Sequence, residues 1–267
     1  MKPSSFSVVA TESHKRELAL LIFSIRQFYT TPIYIWTDDQ TKSYLSIFDF
    51  CNLETRIGAN PDDLEIAQSL TEGVEDKNEF HKKEAILLKM DCIEWAVSET
   101  GNTFFVDADL VFNQAIDEDI DDDFELIISP HYHIENRINA NRTYGAFNAG
   151  YLWTRSIDLA EVWRRIFLKQ SRFYEQEGMK HFFDYFDTGV FSKSHNFGFW
   201  RFSKYHGNER IFLNSQEDFS KVKSFHFHAF PETYAHANDG LKKGYDKLAK
   251  VIIPKLNPEL REFIHDL

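Results

Sequence analysis

Cysteine is scarce in this sequence: two residues in 267, Cys51 and Cys92, with no C-x-x-C pair. That excludes a disulfide scaffold and a cysteine-type zinc site, and it suits a reducing compartment. Basic charge is also short, with 30 Lys and Arg against 42 Asp and Glu, a net −12. An acidic surface repels phosphate backbones and anionic headgroups, so neither nucleic acid nor a membrane surface is the expected partner. A local basic cluster can still meet a small phosphorylated ligand. Long apolar runs are missing as well. The opening Met1-Lys2-Pro3-Ser4-Ser5 carries no hydrophobic signal region. The run Leu18–Phe23 falls far below the roughly 20 residues that a membrane span needs. The expectation is a cytoplasmic protein with no integral membrane segment, no internal repeat and no low-complexity tract.

What is present is a globular balance with one excess. Hydrophobic residues make up 43% and charged residues 27%, enough to bury a sizeable core without staples. Phenylalanine stands out at 26 residues. An aromatic core is the first explanation, and ring faces offered to sugars or bases the second.

Phe6–Ala10 reads as a buried strand that runs into Thr11-Glu12-Ser13. Leu18, Leu21, Ile22, Ile25 and Phe28 follow at helical spacing, and Ile33-Tyr34-Ile35-Trp36 forms a second strand stopping at Thr37-Asp38-Asp39. Strand, helix and strand within about 30 residues make a βαβ unit and call for a parallel sheet. Gly58–Asn78 is acidic and turn-rich, a surface loop, and Asp117–Asp123 is a solvated acidic run. Ile86, Met90, Ile93 and Val97 mark a helix over Phe80–Glu99, and Thr103–Val106 the buried strand after it. Further strands are expected at Leu126–Ser129 and Gly145–Trp153, a helix from Asp158, and one helix around Leu248 in the tail. The expected fold is α/β: one domain over 1–267, with a central, mostly parallel sheet flanked by helices. Its parts are 1–112, 113–230 and a C-terminal tail, 231–267.

Asp107-Ala108-Asp109 stands at the carboxyl end of a strand apolar enough to be central. Two carboxylates at i and i+2 on an extended segment point the same way, which is costly without a counter-ion. Mg²⁺ or Mn²⁺ bridging them to a diphosphate removes that cost, and the strand end is where open α/β sheets bind ligands. An acidic turn leaving a strand is the plainer explanation. In Phe225-His226-Phe227-His228-Ala229, strand alternation places both imidazoles on one face. A late strand could therefore return a histidine to the aspartates, or merely present a polar face.

Together these segments resemble the GT-A glycosyltransferases, the nucleotide-diphospho-sugar transferases. Asp107-Ala108-Asp109 after Phe104-Phe105-Val106 resembles their D-x-D motif, and Phe147-Asn148-Ala149-Gly150-Tyr151 the N-A-G strand of families that include glycogenin-like ones. The resemblance covers residues 6–230 and implies a single GT-A (Rossmann-like) domain. Its first half would bind a nucleotide sugar and its second an acceptor. It implies Mn²⁺ or Mg²⁺ on Asp107, Asp109 and His226 or His228. Thr11, Asp38, Lys83, Asp107, Asn148 and Gly150 would meet a donor, UDP-linked by expectation, and Asp187 would be the base facing the acceptor hydroxyl. Phe197, Phe199, Trp200 and Phe202 could offer a platform for an acceptor sugar; a core role is expected for most of them, with Trp200, beside Arg201, the exposed exception. The partners so implied are a nucleotide sugar and a glycan or other hydroxyl acceptor. One departure is plain: Ala229-Phe230-Pro231 stands where glycogenin-like families carry Gly-x-x-Lys-Pro-Trp, and Lys242-Lys243-Gly244 comes later.

Two other readings compete. Asp107-Ala108-Asp109-Leu110-Val111 also satisfies the signature of haloacid-dehalogenase-like phosphatases, with Asp107 as nucleophile. That signature normally sits on the first strand, and here at least two strands precede it. A non-catalytic relative that binds nucleotide sugar or glycan is the other.

Overall fold

Ile33–Thr37 is buried at every position, as a strand covered on both sheet faces must be. In the computed structural model it is β2, after β1 (Phe6–Val9) and before β3 (Leu53–Ile57). Next come β4 (Thr103–Val106), β5 (Leu110–Phe112), β6 (Leu126–Pro130) and β7 (Phe147–Thr154). Last are β8 (Thr188–Val190), β9 (Phe197–Gly198) and β10 (Ser224–His226). The structure describes residues 1–58, 77–132, 145–170, 175–202, 219–235, 237 and 239–267. Of the expected loop Gly58–Asn78, residues 59–76 lie outside the described ones.

Seven strands form the main sheet in the order β3-β2-β1-β4-β7-β6-β8. β7 alone is reversed, pairing antiparallel with both β4 and β6; the other pairs are parallel. This is the mostly parallel sheet that the βαβ spacing predicts. The order first grows from β1 towards β3, then resumes at β4 on the other side of β1. A topological switch point therefore opens at the carboxyl ends of β1 and β4. A smaller sheet, β5-β10-β9, pairs β5 with the late strand β10 in antiparallel register.

Helices cover both faces. α1 (Lys15–Arg26) lays Leu18, Leu21, Ile22 and Ile25 on Phe6, Ile33 and Phe104. α2 (Asp39–Leu45) is capped by Asp38, whose side chain accepts from Thr41 N–H. On the opposite face, α3 (Lys77–Thr100) and α4 (Leu159–Gln170) close over Phe105, Leu126, Ile128 and Leu152. Part of the phenylalanine excess is spent in the core, with Phe6, Phe104, Phe105, Phe112, Phe182, Phe191 and Phe197 fully buried. The tail holds two helices where the sequence suggested one: α5 (Asp239–Ile252) and α6 (Pro258–Asp266). Pro258 opens α6 behind an Asn257 cap, a start signal that the apolar spacing alone does not show. No helix among the described residues is long and apolar enough to cross a membrane.

Candidate functional site

β4 ends at Val106 and the chain turns at once. Leu110 N–H donates to Asp107 C=O at 3.3 Å, so Asp107-Ala108-Asp109 is a turn joining β4 to β5. The extended segment expected there is replaced by this turn, and the turn is what gathers the carboxylates. β10 supplies the third group. His226 is in register with Leu110, and Phe227 N–H donates to Asp109 C=O at 2.9 Å. One ligand atom each from Asp107, Asp109 and His226 lies within 4.8 Å of the others.

The two oxygens of Asp109 serve two imidazoles. Oδ1 is 3.0 Å from His226 Nε2 and Oδ2 is 3.6 Å from His228 Nδ1. Burial works against a charge on Asp109, but His226 and then His228 outweigh it and hold the carboxyl far below the usual range. His228 Nδ1 stands closer to Glu17, 3.1 Å from Oε1. Glu17 is only 1% exposed and also accepts from the Thr233 hydroxyl at 3.0 Å. Burial opposes the charge on His228 too, yet Asp109 and Glu17 prevail and push it up to about 9. For Glu17 burial prevails, and its pKa is raised.

Asp107 is held from the other side. Its Oδ1 lies 2.9 Å from Lys89 Nζ, which also meets Glu175 Oε1 at 3.0 Å. Burial disfavours the Lys89 ammonium, and the two carboxylates more than compensate, so its pKa is raised and it stays charged. Asp107 N–H donates to Gly150 C=O at 2.9 Å. The recess at Gly150 is filled by the Asp107 carboxylate itself, which no residue with a Cβ would permit. Two carboxylates and one imidazole nitrogen around one point make a donor set that could hold a divalent cation of the Mn²⁺ or Mg²⁺ class.

The other residues singled out from the sequence are placed as follows. Gly150 adjoins Asp107. Asn148 is buried two residues earlier on β7, and its Oδ1 accepts from Gly150 N–H at 3.1 Å. Its amide is thus engaged within the protein, where a contact with sugar hydroxyls was expected. Thr11 and Asp38 line a cleft of about 450 Å³ at the carboxyl ends of β1 and β2, with Val9, Trp36, Ile57 and Leu88. Asp38 takes Glu12 N–H and Thr41 N–H at 2.7 Å each. Burial raises its pKa, and these N–H donors together bring it below the ordinary value. Lys83 lies 5.1 Å over the Phe167 ring of α4, and the lysine that reaches the D-x-D turn is Lys89.

Asp187 needs a correction. β8 runs parallel to β6, with Thr188 level with Leu126. Leu126 is level with Thr154, and Thr154 with Thr103 at the start of β4. Asp187 therefore sits at the amino rim of the sheet, and Asp107 and Asp109 at the carboxyl rim. A base must lie within hydrogen-bond reach of the hydroxyl it deprotonates, and this placement does not provide that. The phosphatase reading fares no better, because Asp107 follows the fourth strand in the chain.

Lys89, Glu17, Glu175 and Asn196 were not singled out. Lys89 and Glu17 had a signal: each is a charged residue on an otherwise apolar helix stripe, Lys89 between Ile86 and Ile93, and Glu17 four residues before Leu21.

No protein-family model and no curated protein matches the sequence. Solved structures do resemble the chain. The galactosyltransferase LgtC in complex with donor and acceptor sugar analogues superposes at a TM-score of 0.57 and 14% identity, over 97% of this chain and 99% of that one. The apo-form glycosyltransferase GlyE of Streptococcus pneumoniae TIGR4 gives 0.55 and 11%, over 94% of this chain and 64% of that one. Mouse xyloside xylosyltransferase 1, apo form, gives 0.50 and 11%, over 83% and 97%. At these identities the likeness is one of fold. The fold is the GT-A type that the motifs imply.

Proposed function

We propose that this chain is a metal-dependent glycosyltransferase that moves a sugar from a nucleotide diphosphate donor, UDP-linked, to a hydroxyl acceptor such as a glycan. The observation that carries the reading is the convergence of Asp107, Asp109 and His226 at the switch point of a GT-A-type sheet. Those three would hold Mn²⁺ or Mg²⁺. When bound, the cation supplies Lewis-acid stabilisation of the departing diphosphate.

The remaining roles belong to the chain. Lys89 fixes the direction of the Asp107 carboxylate and offsets its charge. The cleft beside Thr11, Trp36 and Asp38 is the proposed seat of the nucleoside. Lys242 and Lys243, near the start of α5, are the cations proposed to meet phosphate. Tyr245, further along α5, packs edge-on against His228 at 4.7 Å between ring centres, which keeps that helix at the site. Trp200 stands edge-on to both His131 and His226, 5.1 Å between centres in each case, and is the proposed face for an acceptor sugar.

The test is incubation with a panel of nucleotide sugars and Mn²⁺, following release of nucleoside diphosphate. Release of one nucleotide from one donor, abolished by Asp109→Ala and by chelation, is the expected result. If no donor is consumed, and UDP with Mn²⁺ leaves the melting temperature unmoved, the proposal fails. A melting shift without release would favour a binding relative.

A further inference from the structure

A chain of hydrogen bonds behind the aspartates settles that Nδ1 of His226 carries a hydrogen. It starts from a group whose chemistry is not negotiable, the backbone N–H of Gly150. That N–H can only donate, so the Asn148 atom 3.1 Å away is Oδ1. The Asn196 atom that meets the same Oδ1 at 3.1 Å must then be the amide nitrogen, Nδ2, which also donates to Ser129 Oγ at 3.0 Å. The other end of the Asn196 amide is therefore Oδ1, and it faces His226 Nδ1 at 2.9 Å. An oxygen in that position accepts, so Nδ1 carries the hydrogen. The far end gives the same assignment. His131 Nδ1 lies 3.2 Å from the carbonyl of Gly145, which can only accept, so the unprotonated Nε2 of His131 accepts from Asn148 Nδ2 at 3.5 Å.

We propose that Asn196 is a positioning residue: it fixes the His226 proton on Nδ1 and so turns the Nε2 lone pair towards Asp109 and a divalent cation. The inference rests on the metal reading above for the identity of that cation. Nε2 and Asp109 Oδ1 face each other at 3.0 Å, so either a second proton on the ring or a divalent cation stands between them, and Nδ1 keeps its hydrogen in both cases. The backbone supports this role. Asn196 is fully buried and holds a φ of 50°, a left-handed conformation that asparagine tolerates better than most residues. Its own N–H donates to Ser224 Oγ at 2.8 Å, which ties the residue to the strand that carries His226. Partners of this kind orient a ligating imidazole and set its tautomer. Asn148 and Gly150 thereby acquire a task apart from any sugar: they define which way Asn196 points.

The test uses the full chain and two variants. Asn196→Leu removes the acceptor opposite Nδ1, and Asn196→Asp keeps an oxygen there. Mn²⁺ titration followed by electron paramagnetic resonance should show affinity about ten- to a hundredfold weaker in Asn196→Leu, and a loss in Asn196→Asp smaller by about tenfold. Equal losses in the two variants, or none in Asn196→Leu, would overturn the proposal. Nitrogen NMR of labelled histidine gives a second reading that survives if a variant fails to fold. In the metal-free wild type at neutral pH, His226 should show a slowly exchanging Nδ1 proton. In the cadmium-loaded protein the metal should couple to Nε2 alone, and coupling to Nδ1 sinks the assignment. If the wild type takes up no cation at all, the metal reading falls, while the Nδ1 proton still decides the role of Asn196.

Discussion

The Asp107 carboxylate and the Gly150 backbone occupy the same niche: a Cβ on Gly150 would stand 1.9 Å from Asp107 Oδ2. Gly150→Ala therefore has to displace the carboxylate, because the β7 backbone is pinned on both sides by β4 and β6. The expected cost is about 1–3 kcal/mol of stability, together with weaker Mn²⁺ binding. Urea unfolding and a metal titration on the same preparation would check both. Wild-type affinity in Gly150→Ala would show that Asp107 does not contribute to the cation site.

Lys89 stands between Asp107 and Glu175. Lys89→Met leaves two carboxylates without their shared cation at a largely buried position, a change expected to cost about 3 kcal/mol. Adding Glu175→Gln should recover part of that loss, because one of the stranded charges is then gone. A double-mutant cycle measured by chemical denaturation distinguishes this from simple loss of lysine packing, for which the two effects would add.

Donor binding should be visible as stability. If UDP and Mn²⁺ bind only the folded chain, a concentration of one hundred times Kd adds about 2.7 kcal/mol. Removing the metal with a chelator should cancel the gain. Asp109→Asn should not show it at all, since it loses a direct ligand where even an outer partner is worth about ten- to a hundredfold. A melting curve with and without chelator is sufficient.

His195 predicts an acid limb. It is fully buried; its Nδ1 meets Tyr151 OH at 2.8 Å and its Nε2 lies 3.4 Å from Asp119 Oδ1. Arg201 donates to its backbone carbonyl at 2.8 Å, and Lys223 pairs with the same Asp119. Burial lowers its pKa, Asp119 opposes that, and Lys223 and Arg201 add to the lowering. The unfolded chain therefore binds this proton more readily than the folded one. Stability is present above the ordinary histidine pKa and is lost as pH falls through and below it. Melting temperatures across the mildly acidic range should decline in the wild type and decline less in His195→Asn. Identical slopes would remove His195 as the cause.

The frame was legible where burial and periodicity agree. β1, α1, β2 and β4 are apolar runs or stripes bounded by polar residues, and all stand where the sequence put them. β3 was missed because it is an edge strand: Glu54, Arg56 and Ile57 face solvent and Leu53 and Thr55 are half-buried, which erases the apolar signal. The two aspartates were legible because paired acids at an apolar strand end are conspicuous. Asn196 was not, because an asparagine beside aromatics has no periodicity to interrupt, and its meaning comes from Asn148 and His226, far away in sequence. Asp187 misled for a related reason: the resemblance placed it facing the acceptor, but only the register with β6, β7 and β4 shows which rim it occupies.

The pairing of β5 with β10 carries a consequence for synthesis. Asp107 and Asp109 emerge from the ribosome well before Ser224–His226, and until β10 arrives the Asp109 carbonyl has no Phe227 N–H and its carboxylate has no imidazole. In a nascent chain that has already closed β1 through β4 around α1, Asp107 has Lys89 beside it but Asp109 lacks its imidazole. The cluster of Asp107, Asp109 and His226 is thus complete only once synthesis has passed His226.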